Sequence, residues 1–309
     1  MSEVKLVKID KVAVGYDSGN YTTISRIVRH YDELMSPDGD MVEGIPVLTS
    51  NQMATVAQRG RYWMIELEID SDNITAFRTQ DVVSGGTTAP AWRETSDNPA
   101  IDYFVVSGTD SAGATKSFTY ETDRVYLVGA RGRVSNEPGV EYHTSTYKFI
   151  CIGNRTRGST TLSGTDSASE SYTGVAKCTV NTVDIDNVYV YEWEYVGVND
   201  GDILIPRFTP NKYEAVGVTE YPGKHYVIRV TMDTYDTTWY DSLINDDGAN
   251  SALTSFTVTL NKAGGGTRVH TYQANKVWVR RHPASETTDG GVRNTGEVEL
   301  ICIGTRVDT

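Results

Sequence analysis

The sequence predicts an all-β protein with a few short helices, built from two tandem, duplicated domains of the β-sandwich or barrel class. Its 309 residues include 19 tyrosines, and valine and threonine recur along the whole chain. Such side chains suit a pleated, half-buried surface better than a helix. Short segments also alternate apolar and polar residues, as at Val7 and Ile9 or at Leu67 and Ile69, which indicates strands with one buried face. A third observation, an internal repeat, sets the number of domains.

Five segments occur twice in the same order along the chain. VKIDKVAV at residues 7–14 returns as VDIDNVYV at 183–190, identical at five of eight positions. The other four pairs are IPVLTSNQ (45–52) with IPRFTPNK (205–212), YWMIELEID (62–70) with HYVIRVTMD (225–233), TYETDRVYLV (119–128) with TYQANKVWVR (271–280), and ICIGNR (150–155) with ICIGTR (301–306). Repeats in a conserved order indicate a duplicated structural unit.

The repeat defines two domains and a linker. We expect the first domain at residues 1–156 and the second at residues 178–309. Residues 157–177 between them are rich in Ser, Thr and Gly and nearly free of apolar residues over most of their length, which is typical of a linker.

Each domain is expected to contain six or seven strands. In the first we place them near residues 4–16, 45–49, 61–70, 102–108, 115–121, 124–130 and 144–153. In the second we place them near 178–196, 204–209, 224–233, 253–260, 267–273, 275–281 and 295–304. The segments SAGAT at 111–115 and KAGGGT at 262–267 predict hairpin turns, because glycine adopts positive φ at little cost.

Three segments have apolar residues at helical spacing. Residues 24–35 predict an amphipathic helix that ends before Pro37, and residues 235–244 predict another that ends before Gly248. Residues 73–83 form a weaker candidate at the corresponding place of the first domain. A short helix after the third strand would then belong to the repeated unit.

Charge and cysteine content narrow the class of protein. A net charge of −13 argues against DNA-packaging and DNA-reading roles, since phosphate neutralisation by Lys and Arg supplies most nucleic-acid affinity. Neither a signal peptide nor a membrane-spanning apolar run is expected. Three cysteines without metal-like spacing argue against a disulfide framework and favour a reducing cytoplasm until assembly.

No constellation of catalytic or metal-binding residues stands out. The five histidines show no paired metal-ligand spacing, and the AGGGT segment lacks the lysine of a phosphate-binding loop. Acidic pairs such as Asp38 and Asp40 lie beside glycine, where turn chemistry explains them as well as calcium binding does. We therefore expect no catalytic residues, no cofactor and no metal, and a protein that is not an enzyme.

The duplicated β unit, with an insertion-prone segment before its middle strand and a short helix after it, resembles the tail tube fold of the major tail proteins of tailed phages. The resemblance is architectural and covers both copies. It implies a structural virion protein: three chains would form a ring of six quasi-equivalent domains, and stacked rings would form the inner tail tube. It also implies assembly in the host cytoplasm, contacts with tape measure, tail terminator and baseplate proteins, and DNA that passes without specific binding.

Two alternatives stay open on the sequence. One is another virion part, such as a baseplate, collar or head-decoration protein. The other is a tandem β-sandwich module for glycan binding or adhesion, favoured by the tyrosine and tryptophan content, since aromatic faces stack on sugars.

The tail tube resemblance singles out six residues. An acidic lumen would repel phosphates, so we expect Glu66, Glu68, Glu192 and Glu194 to face the lumen with an excess of acidic over basic side chains. Arg155 and Arg306 end the repeated ICIG segments, and we expect both at interfaces between domains as partners for carboxylates.

Overall fold

The computed structural model describes residues 6, 8–15, 18–19, 21–35, 42–46, 53–58, 62–70, 101–122, 124–136, 144–163, 171–185, 187–196, 204–209, 212–218, 225–233, 251–281, 287–289 and 293–309. Within these residues every regular element is a β-strand. The expected all-β class is therefore confirmed for the described part of the chain.

The described residues form twenty-three strands. The first half holds β1 (Lys8–Gly15), β2 (Tyr21–Ile24), β3 (Ile27–Met35), β4 (Val42–Pro46), β5 (Met53–Gln58), β6 (Tyr62–Ile69), β7 (Tyr103–Thr109), β8 (Thr115–Tyr120), β9 (Val125–Ser135), β10 (Ser145–Cys151) and β11 (Arg155–Gly158). The second half holds β12 (Tyr172–Val180), β13 (Val183–Ile185), β14 (Val188–Val196), β15 (Leu204–Thr209), β16 (Lys212–Val218), β17 (His225–Asp233), β18 (Phe256–Lys262), β19 (Thr267–Tyr272), β20 (Val277–Arg281), β21 (Thr287–Asp289), β22 (Arg293–Cys302) and β23 (Arg306–Asp308).

One long sheet runs through both halves. Its strand order is β20-β22-β17-β14-β9-β10-β6-β3, and β21 pairs with β22 beside this path. Two five-stranded sheets, β11-β8-β7-β1-β2 and β13-β12-β18-β19-β23, belong to one half each. The hairpins β4–β5 and β15–β16 form a four-stranded sheet, joined by a parallel pairing of Lys212 with Gln58.

The core lies between the long sheet and the five-stranded sheets. Alternation along β6 sends Ile65, Leu67 and Ile69 inward, fully buried, and Glu66 and Glu68 to the opposite face. Along β14 the inward-facing residues Tyr191, Trp193 and Tyr195 are likewise buried. Each five-stranded sheet thus makes a sandwich with one half of the long sheet.

The same strand order occurs in both halves. In chain order, β1, β2, β3, β6, β7, β8, β9, β10 and β11 occupy the places that β12, β13, β14, β17, β18, β19, β20, β22 and β23 occupy in the second half. Irregularities of pairing recur at corresponding places as well. There are three corresponding pairs of irregularities, each given as first half with second half: 9–11 with 175–177, 27–29 with 188–190, and 127–129 with 279–281.

Three of the five repeated segments lie at corresponding places, the pair 45–52 and 205–212 lies partly outside the described residues, and the fifth pair lies at different places. VKIDKVAV lies mainly in β1, at the centre of a five-stranded sheet, whereas VDIDNVYV spans edge strand β13 and the start of β14 in the long sheet. By strand pairing, β1 corresponds to β12 (Tyr172–Val180) instead. Alternating Val, Ile and Asp is common to half-buried strands, so this similarity reflects shared patterning.

The helix predicted over residues 24–35 is wrong. These residues form the end of β2 and the whole of β3, and β3 pairs with β6 from Ile27 opposite Ile69 to Met35 opposite Tyr62. The helical spacing of the apolar residues was outweighed by cross-strand pairing with a buried neighbour. The helices predicted at 73–83 and 235–244 lie outside the described residues.

The hairpin turns lie where the sequence predicted them, whereas the limits of several strands do not. Both predicted hairpin turns are confirmed: Gly113 joins β7 to β8, and Gly265 and Gly266 join β18 to β19, all three at positive φ. The segment 157–177, expected to be linker, overlaps β11 at one end and β12 at the other. Pattern reading also missed the short strands β2, β5, β11, β16, β21 and β23.

Candidate assembly edges

The long sheet has two ends, and the strands at each end have one described neighbour. At one end β3 pairs with β6, and at the other β20 and β21 pair with β22. Val28 and Tyr31 of β3 are 57% and 51% exposed, which is unusual for large apolar side chains in a sheet. A strand edge with free backbone groups is a template for pairing with another strand. We call β3 and the β20–β21 edge the assembly edges.

The two halves of the chain are themselves joined by strand pairing. Strand β9 of the first half pairs antiparallel with β14 of the second, from Ser135 opposite Val190 to Gly129 opposite Val196. This β9–β14 junction therefore brings together the last strand of one half-sheet and the first strand of the next. It is a head-to-tail contact, because the two paired strands hold different places in their halves.

Asn136 fixes the end of this junction. Its side-chain amide donates to the carbonyl oxygens of Val175 and Val188 at 2.8 and 2.6 Å, and its side-chain oxygen accepts from the Val175 N–H at 2.8 Å. Its backbone N–H donates to Tyr189. A Cβ at Gly174 would lie 2.1 Å from the Asn136 side-chain oxygen, so glycine is required there. One side chain thus ties β9 to both β12 and β14.

Close packing also defines the centre of the junction. Gly132 of β9 lies directly opposite Trp193 of β14 and opposite Ser145 of β10. A Cβ at Gly132 would lie 2.7 Å from Trp193 Nε1 and 2.9 Å from Ser145 Oγ. The buried indole therefore occupies the space that a larger residue would need.

The four glutamates singled out from the sequence all lie on the face of the long sheet that points away from the core. Glu66 and Glu68 belong to β6, and Glu192 and Glu194 to β14. Arg29 contacts Glu66 at 2.6 Å and Glu68 at 3.5 Å, and Arg133 contacts Glu192 at 3.2 Å. Each of these contacts joins two strands of the sheet.

The expected excess of acidic side chains does not appear in the described part of this face. Cross-strand positions carry basic residues about as often as acidic ones. The basic residues are Arg29, Arg131, Arg133, Lys148, Arg229, Arg280 and Arg281, and the acidic ones are Glu33, Glu66, Glu68, Glu192, Glu194, Glu297 and Glu299. The negative net charge of the chain is therefore carried elsewhere.

Arg155 and Arg306, which the sequence analysis placed at interfaces between domains, each contact a carboxylate in their own half of the chain. Both side chains lie inside a sandwich, at 9% and 0% exposure. Arg155 of β11 pairs with Asp32 of β3, and Arg306 of β23 forms two 2.8 Å hydrogen bonds with Asp308. The two arginines hold the same register, since each lies opposite a buried tyrosine, Tyr120 or Tyr272.

His30 is a partly buried residue of β3 close to the Asp32–Arg155 pair. Its ring stacks on Phe118 at 6.5 Å between centroids. Burial lowers the pKa of His30 to about 4; Asp32 opposes this effect, and the nearby Arg155 adds to it. Burial likewise raises the pKa of Tyr120, whose hydroxyl donates to Asp32 at 2.8 Å. The imidazole is thus neutral at physiological pH.

Two further observations concern the described residues alone. They contain no group of three or more His, Cys, Asp or Glu side chains that could hold a metal ion. They also contain no helix long and apolar enough to cross a membrane.

A scan against protein-family models and a search of the curated proteins find no match to this chain. The sequence reasoning found the glutamates of the long sheet but missed Asn136, Gly132 and the edge residue Tyr31. The sequence held no clear strand signal at Tyr31, because neither Arg29, Tyr31 and Glu33 nor the residues between them form an apolar set.

Proposed function

We propose that this chain is a duplicated structural subunit whose assembly edges close three copies into a ring, and that stacked rings form the inner tail tube of a tailed phage. The observation that carries the proposal is the β9–β14 junction. It pairs the last strand of one half-sheet with the first strand of the next, and the corresponding strands at the two ends of the long sheet are the assembly edges.

Repeating that contact between chains generates a closed ring. The β20–β21 edge corresponds to β9, and β3 corresponds to β14, so one copy can offer to the next the contact that each chain makes internally. A head-to-tail contact of this kind closes into a ring when its rotation allows. The matching strand orders and pairing irregularities support a tandem duplication, which would make the six contacts of a three-chain ring quasi-equivalent.

Strand number favours three chains. Eight strands of the long sheet from each of three copies give 24 strands. With strands about 4.8 Å apart and tilted by about 40°, the backbone cylinder has a radius of about 24 Å and leaves a channel about 38 Å wide once side chains are included. Two copies would leave about 22 Å by the same arithmetic, too narrow for a hydrated double helix.

The charge pattern supports passage of DNA through charge balance on the channel wall, not through repulsion by the acidic wall that the sequence predicted. Placed on the channel side, the outer face of the long sheet would present arginines that already contact glutamates, as Arg29 and Arg133 do. Such arginines gain less from phosphate contact than free ones, because binding a phosphate competes with the carboxylate. A balanced wall would neither hold nor repel DNA strongly.

Two of the three described tryptophans give no support to the alternative of a glycan-binding module, and the third, Trp278 of β20, is half-buried. Trp193 is buried, and the Trp63 ring is covered by the Arg155 guanidinium at 3.8 Å. A sugar-stacking platform needs an open aromatic face. Trp92 and Trp239 lie outside the described residues.

The direct test is to purify the chain and measure its assembly. We expect native mass spectrometry to give three chains per ring and negative-stain images to show stacked rings with a central channel. A monomer at micromolar concentration, a closed dimer, or a ring of six full chains would contradict the proposal.

A matched pair of edge variants locates the contact. Replacing Val28 and Tyr31 by lysine charges the open edge of β3, and we expect this variant to remain folded but to form no rings. The control replaces Val183 and Val307, 48% and 53% exposed at edges of a five-stranded sheet, by lysine and should assemble normally. Rings from the β3 variant would exclude β3 as an assembly edge, and loss of rings in the control would show that the effect of lysine is not specific to β3.

A further inference from the structure

A buried ion pair holds the edge strand β3 against its sandwich. The Arg155 guanidinium contacts the Asp32 carboxylate, and their side chains are 9% and 14% exposed. Tyr120 donates a hydrogen bond to the same carboxylate at 2.8 Å. Arg155 also stacks on Trp63 and Phe118, at 3.8 and 4.4 Å from the ring centroids. Asp32 is therefore an inward-pointing charge on a strand that has one neighbour, β6, among the described residues.

The second half has no such charge on the corresponding strand. Pairing with β6 and β17 places Trp193 of β14 at the position of Asp32. Arg306 stacks on Trp193 at 4.5 Å and takes its carboxylate from Asp308 on its own strand. The difference matches the pairing of the two strands, since in the described part of the chain β14 has neighbours on both sides and β3 on one. Inward-pointing charges are a known means of limiting incorrect pairing at sheet edges.

We propose that the Asp32–Arg155 ion pair fixes the register in which β3 accepts the β20–β21 edge of a second copy of this chain. A shift of β3 by one residue would turn Asp32 outward and leave Arg155 buried without its carboxylate, which is strongly unfavourable. This proposal rests on the proposed function, because it names the residues that select the contact closing the ring.

The in-chain junction predicts the register between chains. Glu192 lies opposite Arg133 in the β9–β14 junction, and the corresponding residues at the assembly edges are Tyr31 and Thr287. Val190 lies opposite Ser135, and the corresponding pair is Arg29 and Asp289, which have opposite charges in the sequence. Residues directly opposite across antiparallel strands have Cβ atoms about 4.5–5.5 Å apart, close enough for a disulfide after small adjustments.

Disulfide cross-linking measures this register. Cysteines at positions 31 and 287 should link neighbouring copies under mild oxidation, whereas cysteines at 31 and 288 should not, because adjacent positions of any strand take opposite faces of its sheet. The native cysteines Cys151, Cys178 and Cys302 are buried and should not compete. We expect the 31/287 pair to cross-link at least about tenfold more than the 31/288 pair.

Removing the ion pair without leaving a buried charge tests its role. The double replacement Asp32→Leu with Arg155→Met keeps apolar bulk in the sandwich, and such replacements of buried pairs commonly preserve folding. In this background we expect the ratio of 31/287 to 31/288 cross-linking to fall to about threefold or less, because a slipped register no longer strands a charge. Asp308→Asn, which disturbs the other buried arginine, should leave the ratio unchanged.

The outcomes separate the two proposals. An unchanged ratio in the Asp32→Leu, Arg155→Met background, with rings still formed, would overturn the role of the ion pair and leave the ring intact. Absence of inter-chain disulfide from both cysteine pairs in the otherwise native chain would overturn the edge contact itself. A fallen ratio in the Asp308→Asn control would show that general loosening of a sandwich, not Asp32, sets the register.

Discussion

Replacing Gly132 by alanine should destabilise the joint between the two halves. The added Cβ would lie 2.7 and 2.8 Å from Nε1 and Cε2 of Trp193 and 2.9 Å from Ser145 Oγ, where ordinary contact begins at 3.4 Å. The indole would have to move by about 0.7 Å, yet it is 2% exposed and Arg306 stacks on it. Overpacking of a filled core costs about 1–3 kcal/mol, and we expect Gly132→Ala to lower the free energy of unfolding by that amount.

Gly129 of the same strand is a matched control. A Cβ there would meet only the Tyr195 carbonyl oxygen, at 3.6 Å, which is ordinary contact. Gly129→Ala should therefore change stability by less than about 0.5 kcal/mol. Urea unfolding followed by circular dichroism, with matched slopes, would measure both variants.

A second-site change tests the mechanism. Trp193→Phe removes the indole nitrogen and ring atom nearest to Gly132, so alanine at position 132 should cost less than about 0.5 kcal/mol in that background. An equal cost of Gly132→Ala with tryptophan or phenylalanine at position 193, or an equal cost at Gly129, would refute the steric explanation.

Three further predictions follow from burial and titration. The pKa of His30 is about 4 in the folded protein against 6.5 in the unfolded chain, so the free energy of unfolding should fall by about 2–3 kcal/mol as the pH falls from 6.5 toward 4. The urea midpoint of His30→Phe should lack this pH-dependent loss. Parallel pH profiles of the two proteins would contradict the prediction. Leu162 is 4% exposed and packs against Ala13 and Val105. Leu162→Ala should lower the free energy of unfolding by about 2–3 kcal/mol, whereas Val307→Ala at a 53% exposed site should not. Equal urea midpoints of the two variants would refute this prediction. Burial raises the pKa of Cys151 to about 11, so a thiol reagent at pH 8 should label this cysteine only in denaturant. Labelling of Cys151 in the native chain would show that its thiol is accessible.

The sequence by itself determined the class of secondary structure, two hairpin turns and the face on which the charged residues of the long sheet lie. Alternation predicted that Glu66, Glu68, Glu192 and Glu194 share the polar side of their strands, and they do. These features are local, because strand alternation and the positive φ of glycine depend on a few neighbouring residues.

The tertiary structure decided how the strands are paired. Residues 24–35 fit a helix by spacing and form a strand because β6 lies beside them. Asp32 and Arg155 are 123 positions apart in the chain, and their contact depends on two sheets packing together. The glutamates are matched by arginines from neighbouring strands, which removed the expected acidic face. Alternation within a strand specifies which face each residue takes, whereas the identity of its neighbour depends on register between distant segments, and no local pattern encodes that register.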